Sequence, residues 1–228
     1  MDEQVAKQLI DETQLLIEDD ATEWAAVEAL WRPHVDQADA DAQFRLAEFY
    51  LDHYDEGPEK EMEMKRLLRL AADQGHADAT YRLRQQYAEG EVRDALLLKA
   101  GELGSLEAQR DLGAIYATGD WTGPHDAVRA AEWYLRAAER GHADAQYNLG
   151  FMYLLGEGVQ ANSGEGLRWL RCSAEQGDEQ SMRLLADVYR NGHYGISANA
   201  VEAKLWDERY RKTDLYRLRE QKWGAEGV

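Results

Sequence analysis

The sequence predicts an all-α protein, an α/α superhelix (solenoid) of about five helical hairpins with a capping helix pair at the N-terminal end and a further helix at the C-terminal end. Two observations support this. The 228 residues contain only three prolines and are 44% hydrophobic, and helix-favouring residues outnumber the β-branched residues that build sheets. The segment ending at Tyr50 also returns four times, ending at Tyr87, Tyr116, Tyr153 and Tyr189. Such a period is typical of stacked hairpin repeats.

The first helix of each repeat has one face defined by steps of four residues. A leucine stands four positions before each tyrosine and a small residue eight positions before it. These residues are Leu46, Leu83, Leu112, Leu149 and Leu185, and Ala42, Ala79, Ala108, Ala145 and Ser181. Gly113 and Gly150 lie three positions before their tyrosines, although glycine inside a helix costs about 1 kcal/mol relative to alanine. We therefore expect a neighbouring helix to approach the backbone closely there.

The second helix of each repeat carries a large apolar anchor, followed after four residues by a small one. The pairs are Leu67 with Ala71, Leu96 with Ala100, Trp133 with Ala137 and Trp169 with Ser173. Eight residues after each anchor comes a glycine: Gly75, Gly104, Gly141 and Gly177. Each glycine precedes the next tyrosine by 12 residues, as in 87 − 75. This pattern predicts a left-handed helix end and a constant turn between repeats.

The second repeat departs from the pattern. Tyr87 and Tyr116 are 29 residues apart, whereas the other intervals are 36 or 37 residues. The eight missing residues follow Tyr87, so we expect only the turn inside this hairpin to be shortened. Arg84 also stands where the other repeats have alanine or glycine, which marks this repeat as degenerate.

These motifs closely resemble the Sel-1-like repeat, a relative of the tetratricopeptide repeat. The pattern A-x-x-x-L-G-x-x-Y, then G-x-G-V, then W-x-x-x-A-A-x-x-G is nearly complete in residues 143–177, with Ala145, Gly150, Tyr153 and Trp169 in place. The resemblance covers about residues 39–214. It implies an α-solenoid with a concave face and the function of an adaptor that gathers other proteins.

The repeat register predicts the domain organisation. The five repeats span about 39–75, 76–104, 105–141, 142–177 and 178–214. Residues 1–38 contain two amphipathic segments and fit an N-terminal capping hairpin, because a repeat stack needs an atypical unit to close its core. Residues 215–228 are predicted to form a last helix and tail. The constant 12-residue spacing favours one continuous domain.

The charge indicates which partners are suitable. The chain has a net charge of −18, which repels phosphate backbones and argues against nucleic acid. Residues 1–64 contain 19 acidic and 4 basic residues, a net of −15, whereas residues 204–222 contain 7 basic and 4 acidic residues, a net of +3. We therefore expect a protein partner with a basic surface. Self-association between the acidic and basic ends is a further possibility.

The chain start and the lack of long apolar runs predict a cytoplasmic protein. Acidic residues follow Met1 where a secretory signal has basic ones. No run approaches the roughly 18 apolar residues that a membrane-spanning helix requires, so membrane insertion is not expected. The single cysteine, Cys172, has no partner for an internal disulfide.

The sequence does not indicate catalysis, a metal site or a cofactor. It has no zinc-ligand spacing, phosphate-binding loop or nucleophile elbow. Cys172 lies beside the small-residue column of a second helix and is interpreted as a packed thiol rather than a nucleophile. His76 and His142 occupy the same position of two repeats, immediately after the turn glycine, which favours a structural role over metal binding.

The candidate contact surface is the set of first-helix positions that face the groove in tetratricopeptide proteins, an assignment by analogy. The residues are Asp41, Phe44, Glu48, Asp78, Tyr81, Gln85, Glu107, Arg110, Asp144, Tyr147, Phe151, Leu154, Arg183 and Asp187. Carboxylates would steer a basic partner and aromatic rings would supply buried area. For Asp41, Asp78 and Asp144 we favour the alternative that they complement the helix dipole, and for Tyr147 with Phe151 we favour binding.

Three functional hypotheses follow. The first is a non-enzymatic scaffold or adaptor that binds a protein or peptide on its concave face. The second is an immunity or inhibitor protein that neutralises a basic toxin or enzyme, motivated by the acidic N-terminal end. The third, an enzyme of hydrolase type, comes from reports of such activity in a few proteins that resemble the family, and the absence of a nucleophile and base pair argues against it.

Overall fold

The computed structural model describes residues 2–18, 24–52, 57–87, 90–119 and 124–213. These residues belong to two compact units, 1–108 and 109–228. The described helices of the first unit are α1 (Glu3–Glu18), α2 (Trp24–Asp36), α3 (Ala40–Asp52), α4 (Pro58–Asp73), α5 (Ala77–Leu83) with a 3-10 turn (Arg84–Gln86), and α6 (Glu91–Leu103). Helix α7 (Leu106–Thr118) begins in the first unit and continues into the second.

The second unit contains the remaining five helices. They are α8 (Ala127–Glu139), α9 (Ala143–Leu155), α10 (Ser163–Glu175), α11 (Glu179–Asn191) and α12 (Ala200–Tyr210). Throughout the described ranges every regular element is helical. The predicted all-α fold class of Sel1-type hairpins is therefore confirmed. The helix expected over 215–228 lies outside the described residues, and a single continuous domain with the stated repeat bounds stays a prediction.

The core of each unit follows the repeat positions. In the first unit the leucines Leu46 and Leu67 are completely buried, and Trp31 of α2 joins them. In the second unit Leu170 and Leu185 are completely buried beside Trp206 of α12. In α6 the predicted anchor Leu96 is partly buried and packs against the core, and the next residue, Leu97, is fully buried. Leu68, Tyr134 and Leu170 follow their anchors in the same way and are also buried, so the register of α6 matches that of the other second helices.

The turns between hairpins have the predicted geometry. Gly75, Gly104, Gly141 and Gly177 have φ of +84°, +100°, +94° and +100°, a region that side chains disfavour. Ala38 has φ of +60° and also precedes a repeat tyrosine by 12 residues, since 50 − 38 = 12. The turn between α2 and α3 is thus a repeat turn in which alanine occupies the glycine position, and α2 corresponds to a second helix.

The glycines inside the first helices permit the close approach that we expected. A Cβ at Gly150 would lie 2.9 Å from Leu170 Cγ and 3.0 Å from the carbonyl oxygen of Gly166. A Cβ at Gly113 would lie 2.6 Å from the ring of Tyr134. Helices α9 and α10 therefore contact each other through backbone at Gly150 and Gly166, a distance that only glycine allows.

The second repeat shows that one expectation was wrong. We expected only its turn to be shortened, but its first helix is shorter as well: α5 has 7 residues, whereas α7, α9 and α11 have 13 each. Arg84 begins the 3-10 turn that follows α5, and its guanidinium lies 4.4 Å from the centroid of the Tyr81 ring. The bulky side chain is accommodated because the helix ends before it.

Candidate functional site

The first helices of the five repeats begin at a shared N-cap position. In each, a side chain accepts a hydrogen bond from the backbone N–H three residues later, which satisfies one of the free donors at a helix start. The caps are Asp39 (2.9 Å), His76 (3.1 Å), Ser105 (3.5 Å), His142 (3.4 Å) and Asp178 (2.7 Å). His76 and His142 accept through Nδ1, so their recurrence has the structural explanation that the sequence suggested.

In the first unit the candidate aromatic residues belong to the core. Phe44 is only 4% exposed, and its ring centroid lies 4.5 Å from that of His76. Tyr81 is 9% exposed, and its hydroxyl accepts a hydrogen bond from Arg84 Nη2 (3.0 Å). The structure thus buries Phe44 and Tyr81 beneath their own chain.

Several candidate acids of the first unit are engaged within the chain. Asp41 Oδ1 lies 3.7 Å from Arg45 Nε and 3.6 Å from His76 Nε2, and the interaction with the His76 side chain is the main cause that lowers the pKa of Asp41. Glu48 accepts from Arg82 through Nε (3.3 Å) and Nη2 (3.1 Å). The remaining candidates are exposed: Asp78, Gln85 and Glu107.

In the second unit an aromatic pair reaches the surface. Tyr147 and Phe151 of α9 are both partly exposed, and their rings are parallel within 4° with centroids 6.5 Å apart. Burial is the largest cause that raises the pKa of Tyr147. Leu154, one turn further on, is 5% exposed and would meet any Cβ at Gly166. Leu154 is therefore a core residue, whereas Tyr147 and Phe151 form an apolar patch on the surface of α9.

A groove runs along α11 in the second unit. Its volume is about 530 Å³, and it is lined by Tyr147 of α9, by Arg183, Leu184 and Asp187 of α11, and by Asp207 and Tyr210 of α12. Three candidate residues, Tyr147, Arg183 and Asp187, are brought together here. The candidates Arg110 and Asp144 are not in its lining: Arg110 pairs with Asp111 (2.8 Å), and Asp144 is exposed near the start of α9.

Four charged side chains line this groove, and they differ in the groups that they contact. Arg190 donates to both carboxylate oxygens of Asp207 (2.9 and 2.7 Å), and these bonds are the main cause that raises the pKa of Arg190. The guanidinium of Arg183 lies over the ring of Tyr210, 5.9 Å from its centroid. Asp187 accepts a hydrogen bond from Asn191 (2.7 Å), and Arg190 Nη1 and His193 Nε2 lie 4.0 and 3.9 Å from its carboxylate oxygens.

The α12 wall of the groove was not anticipated as part of the site. Tyr210 follows the anchor Trp206 by four residues, where Ala71 and Ala137 stand in other repeats. This large residue in a small-residue position is the signal in the sequence for the groove, because a large side chain keeps a neighbouring helix from the close contact that alanine allows.

The loop after α11 carries a strained aromatic residue. Tyr194 has φ of +57°, and the corresponding residue one repeat earlier, 36 positions back, is Gly158 with φ of +68°. The carbonyl oxygen of Tyr194 accepts a hydrogen bond from Ser163 Oγ (2.5 Å). A tyrosine in this region costs about 1–2 kcal/mol, so the position of its ring beside the α9–α11 cluster is maintained against strain.

The other chemical features of the sequence are now placed. Within the described part of the chain, three or more potential metal-ligating side chains do not come together. Cys172 is partly exposed on α10. No described helix is both long and apolar enough for a membrane span.

The repeated helical hairpins place the chain in the class of helical-repeat proteins, and in the second unit residues of α9, α11 and α12 line an open groove. The Sel1 repeat model matches residues 40–60, 65–76, 106–142, 143–178 and 179–206, more than half of the chain. The chain belongs to the Sel1 repeat family. Proteins of this family mediate protein–protein interaction and are generally non-enzymatic scaffolds. No curated protein matches the chain.

Solved structures with the same fold support the assignment. A Sel1 repeat protein from Oxalobacter formigenes is 26% identical, with a TM-score of 0.71, over 84% of this chain and 80% of that one. A protective antigen of uropathogenic Escherichia coli strains with an SLR fold is also 26% identical, with a TM-score of 0.69. It matches 91% of this chain, which spans 46% of that protein. An immunity protein from Pseudomonas aeruginosa is 20% identical, with a TM-score of 0.63, over 93% of this chain and 82% of that one; this likeness concerns the fold alone.

Proposed function

We propose that this protein is a non-enzymatic scaffold or adaptor that binds a protein or peptide on the first-helix surface of its second unit. The observation that carries the proposal is the stacked pair Tyr147 and Phe151, which is partly exposed beside the α11 groove. Aromatic rings next to a groove supply the buried area on which most binding energy depends. The interaction function of the Sel1 family supports the same class.

The partner is proposed to have a basic surface. The net charge of −18, with −15 in residues 1–64, accelerates encounters with a basic protein through long-range attraction. The acidic residues of the candidate contact surface contribute unequally to this attraction, because Asp41 and Glu48 already lie beside Arg45 and Arg82 of their own chain. The exposed Asp78 and Asp144 are the better placed for steering.

A second candidate function is inhibition of a basic toxin or enzyme, as an immunity protein would do. The concentration of 19 acidic residues in the first 64 favours it. The two hypotheses share the contact surface and the cytoplasmic location that we propose, and they differ in the partner. Self-association of the acidic and basic ends would compete with either, and light scattering over a salt series tests it.

The proposal is tested by capture from native lysate with the full chain immobilised, elution in steps of rising salt, and identification by mass spectrometry. The double variant Tyr147→Ala, Phe151→Ala should lose the captured protein. Leu155→Ala is the matched control, since Leu155 is 41% exposed on the same helix outside the groove lining. Capture that is equal in all three proteins would contradict the proposed surface. Inhibition of the captured protein's own activity would favour the inhibitor over the adaptor.

A further inference from the structure

Four charged side chains line the α11 groove, and three of them have an opposite charge close by. Arg190 donates hydrogen bonds to both carboxylate oxygens of Asp207 (2.9 and 2.7 Å). Asp187 accepts a hydrogen bond from Asn191 (2.7 Å), and Arg190 Nη1 and His193 Nε2 lie 4.0 and 3.9 Å from its oxygens. These contacts use hydrogen-bonding capacity of the three residues and offset their charges.

The fourth charged side chain, Arg183, is exposed and has no carboxylate partner in the described part of the chain. Its guanidinium lies over the Tyr210 ring, 5.9 Å from the centroid, and a contact with a ring face uses none of its N–H donors. Burial raises the pKa of Tyr147, with a further rise from Asp178, whereas Arg183 opposes that rise. Asp178 caps α11 by accepting from the Ser181 N–H (2.7 Å) and is outside the groove lining. The charge that the groove leaves unopposed is therefore positive.

The groove is long enough for a segment of polypeptide to extend past Arg183 on both sides. Its α11 wall runs from Gln180 to Arg190, about 15 Å at 1.5 Å per helical residue. This length matches roughly four to five residues of extended chain. Arg183 lies inside it, with Tyr147 and Tyr210 on the flanking helices. A carboxylate that meets Arg183 from such a segment therefore belongs to a side chain rather than to a chain end.

We infer that this groove binds a segment of the partner through the carboxylate of an acidic side chain, which accepts paired hydrogen bonds from the Arg183 guanidinium. An apolar neighbour in the same segment packs on Tyr147. The planar fork of arginine matches a carboxylate through two parallel N–H···O bonds, and the Tyr210 ring restrains the guanidinium from behind. The inference rests on the proposed function and deepens it, because it names the side chain that anchors the partner.

An acidic anchor is compatible with a partner whose surface is basic elsewhere. Residues 1–64 have a net charge of −15, whereas residues 109–228 contain 15 basic and 18 acidic residues, a net of −3. Long-range attraction of a basic partner comes from the first of these ranges. Arg183 acts only at contact, because exposed charges are screened beyond about 8–10 Å at physiological salt.

The test is an NMR titration of the full-length ¹⁵N-labelled protein with the capped dipeptide N-acetyl-Phe-Glu-amide and its neutral isostere N-acetyl-Phe-Gln-amide. We expect saturable shifts of the α11 amide signals and about fivefold tighter binding of the glutamate probe, as an exposed ion pair allows. Arg183→Gln should remove this preference. Arg136→Gln is the matched control and should keep it. Arg136 is exposed and also lies over an aromatic ring (Trp133, 4.4 Å), but it belongs to α8, outside the groove lining.

Three results would overturn the inference: equal binding of the two dipeptides, a preference that Arg183→Gln retains, or tighter binding of N-acetyl-phenylalanine, whose only carboxylate is a chain end. Unchanged thermal unfolding of each variant shows that the fold is retained. The proposed function is judged separately, by capture from lysate. A captured partner that binds Arg183→Gln as well as the wild type refutes the acidic anchor and leaves the scaffold function intact. A glutamate preference that depends on Arg183, with no captured partner, supports the site and counts against the scaffold function.

Discussion

The two units build the same hairpin with different contacts. In the first unit, Glu28 and Arg32 of α2 meet Lys60 and Glu63 of α4 in a network of ion pairs, and Tyr50 accepts a hydrogen bond from Arg32 (3.2 Å). In the second unit, α9 and α10 touch at Gly150 and Gly166. Backbone contact tolerates no added atom, whereas a polar network tolerates changes of shape but depends on charge. The second unit should therefore be sensitive to volume and the first to pH.

The repeat tyrosine is a feature that both units share. In two repeats its hydroxyl accepts from an arginine 18 residues earlier: Arg32 donates to Tyr50 and Arg171 donates to Tyr189 (2.5 Å). In these repeats the tyrosine links the second helix of one hairpin to the first helix of the next. Leu98 and Leu135 stand at the arginine position before Tyr116 and Tyr153, so this link is specific to two of the repeats.

The largest effect is expected at Gly158, in the loop of the second unit. A Cβ there would lie 2.0 Å from the carbonyl oxygen of Ala127, and the backbone has φ of +68°. Gly158→Ala should lower the free energy of unfolding by about 3 kcal/mol, as the sum of overpacking and left-handed strain. Gly141→Ala is the control, since its φ is +94° but its Cβ would meet no atom within 4 Å. It should cost about 1–2 kcal/mol. Urea unfolding measures both, and equal losses would contradict the packing argument.

The second-largest loss of stability is expected at the contact between α9 and α10. Gly166→Ala would place a Cβ 2.7 Å from Leu154 Cδ2 and 2.9 Å from the carbonyl oxygen of Gly150, and should destabilise by about 2 kcal/mol despite the better helix propensity of alanine. In the same helix, Gly164→Ala meets only Asn162 Oδ1 at 3.3 Å. This control should be neutral or stabilising. Thermal unfolding compares the two, and a neutral Gly166→Ala would show that the close contact is dispensable.

The polar network of the first unit predicts a pH effect. Burial opposes ionisation of Glu28, but hydrogen bonds from Lys60, Arg32 and Tyr50 outweigh it and lower its pKa to about 2 from 4.5. A lowered folded-state pKa means that the stabilisation is complete above about pH 4.5 and is lost as the pH falls towards 2. Glu28→Gln should cost about 1–2 kcal/mol at pH 7, and its difference from the wild type should vanish over that window. Unfolding at several pH values tests this, and a pH-independent difference would refute it.

Replacing two buried serines is expected to increase the stability of the protein by a smaller amount. Ser173 and Ser181 are completely buried, and their hydroxyls have no hydrogen-bond partner in the described part of the chain. In the first unit Ala71 and Ala79 stand at the same repeat positions. Replacing both serines with alanine should stabilise the protein by about 1 kcal/mol, because it removes unsatisfied buried groups. A loss of stability in chemical unfolding would indicate that the hydroxyls are satisfied.

The smallest effect is expected at Ala38, the alanine in a glycine position. Ala38→Gly relieves the left-handed conformation at φ of +60° but adds flexibility to the unfolded chain, so a gain of about 0.5 kcal/mol remains. Gly75→Ala, at the corresponding turn with φ of +84°, should change stability in the opposite direction. Thermal unfolding of the pair measures both signs. Destabilisation by Ala38→Gly would argue against this turn being a repeat turn.

Much of the fold was predictable because short-range sequence patterns specify each hairpin repeat. The positions of the turn glycines, the close contact at Gly150 and the caps formed by His76 and His142 depend on residues within one hairpin or its immediate neighbour. The shortened α5 was not predictable, since Arg84 is compatible with a helix and its effect depends on the contact with Tyr81. The candidate site was predictable only as a list of positions.

By itself the sequence determined the family, the repeat register and the helical fold class, because each follows from the spacing of a few residue types along the chain. Only the tertiary structure decided which residues of the candidate contact surface reach solvent. Phe44 and Tyr147 occupy the same repeat position, yet Phe44 is covered by its own chain and Tyr147 opens onto a groove. Exposure depends on what neighbouring helices place above a side chain, here His76 in one unit and Tyr210 with Arg183 in the other, and no local pattern contains that information.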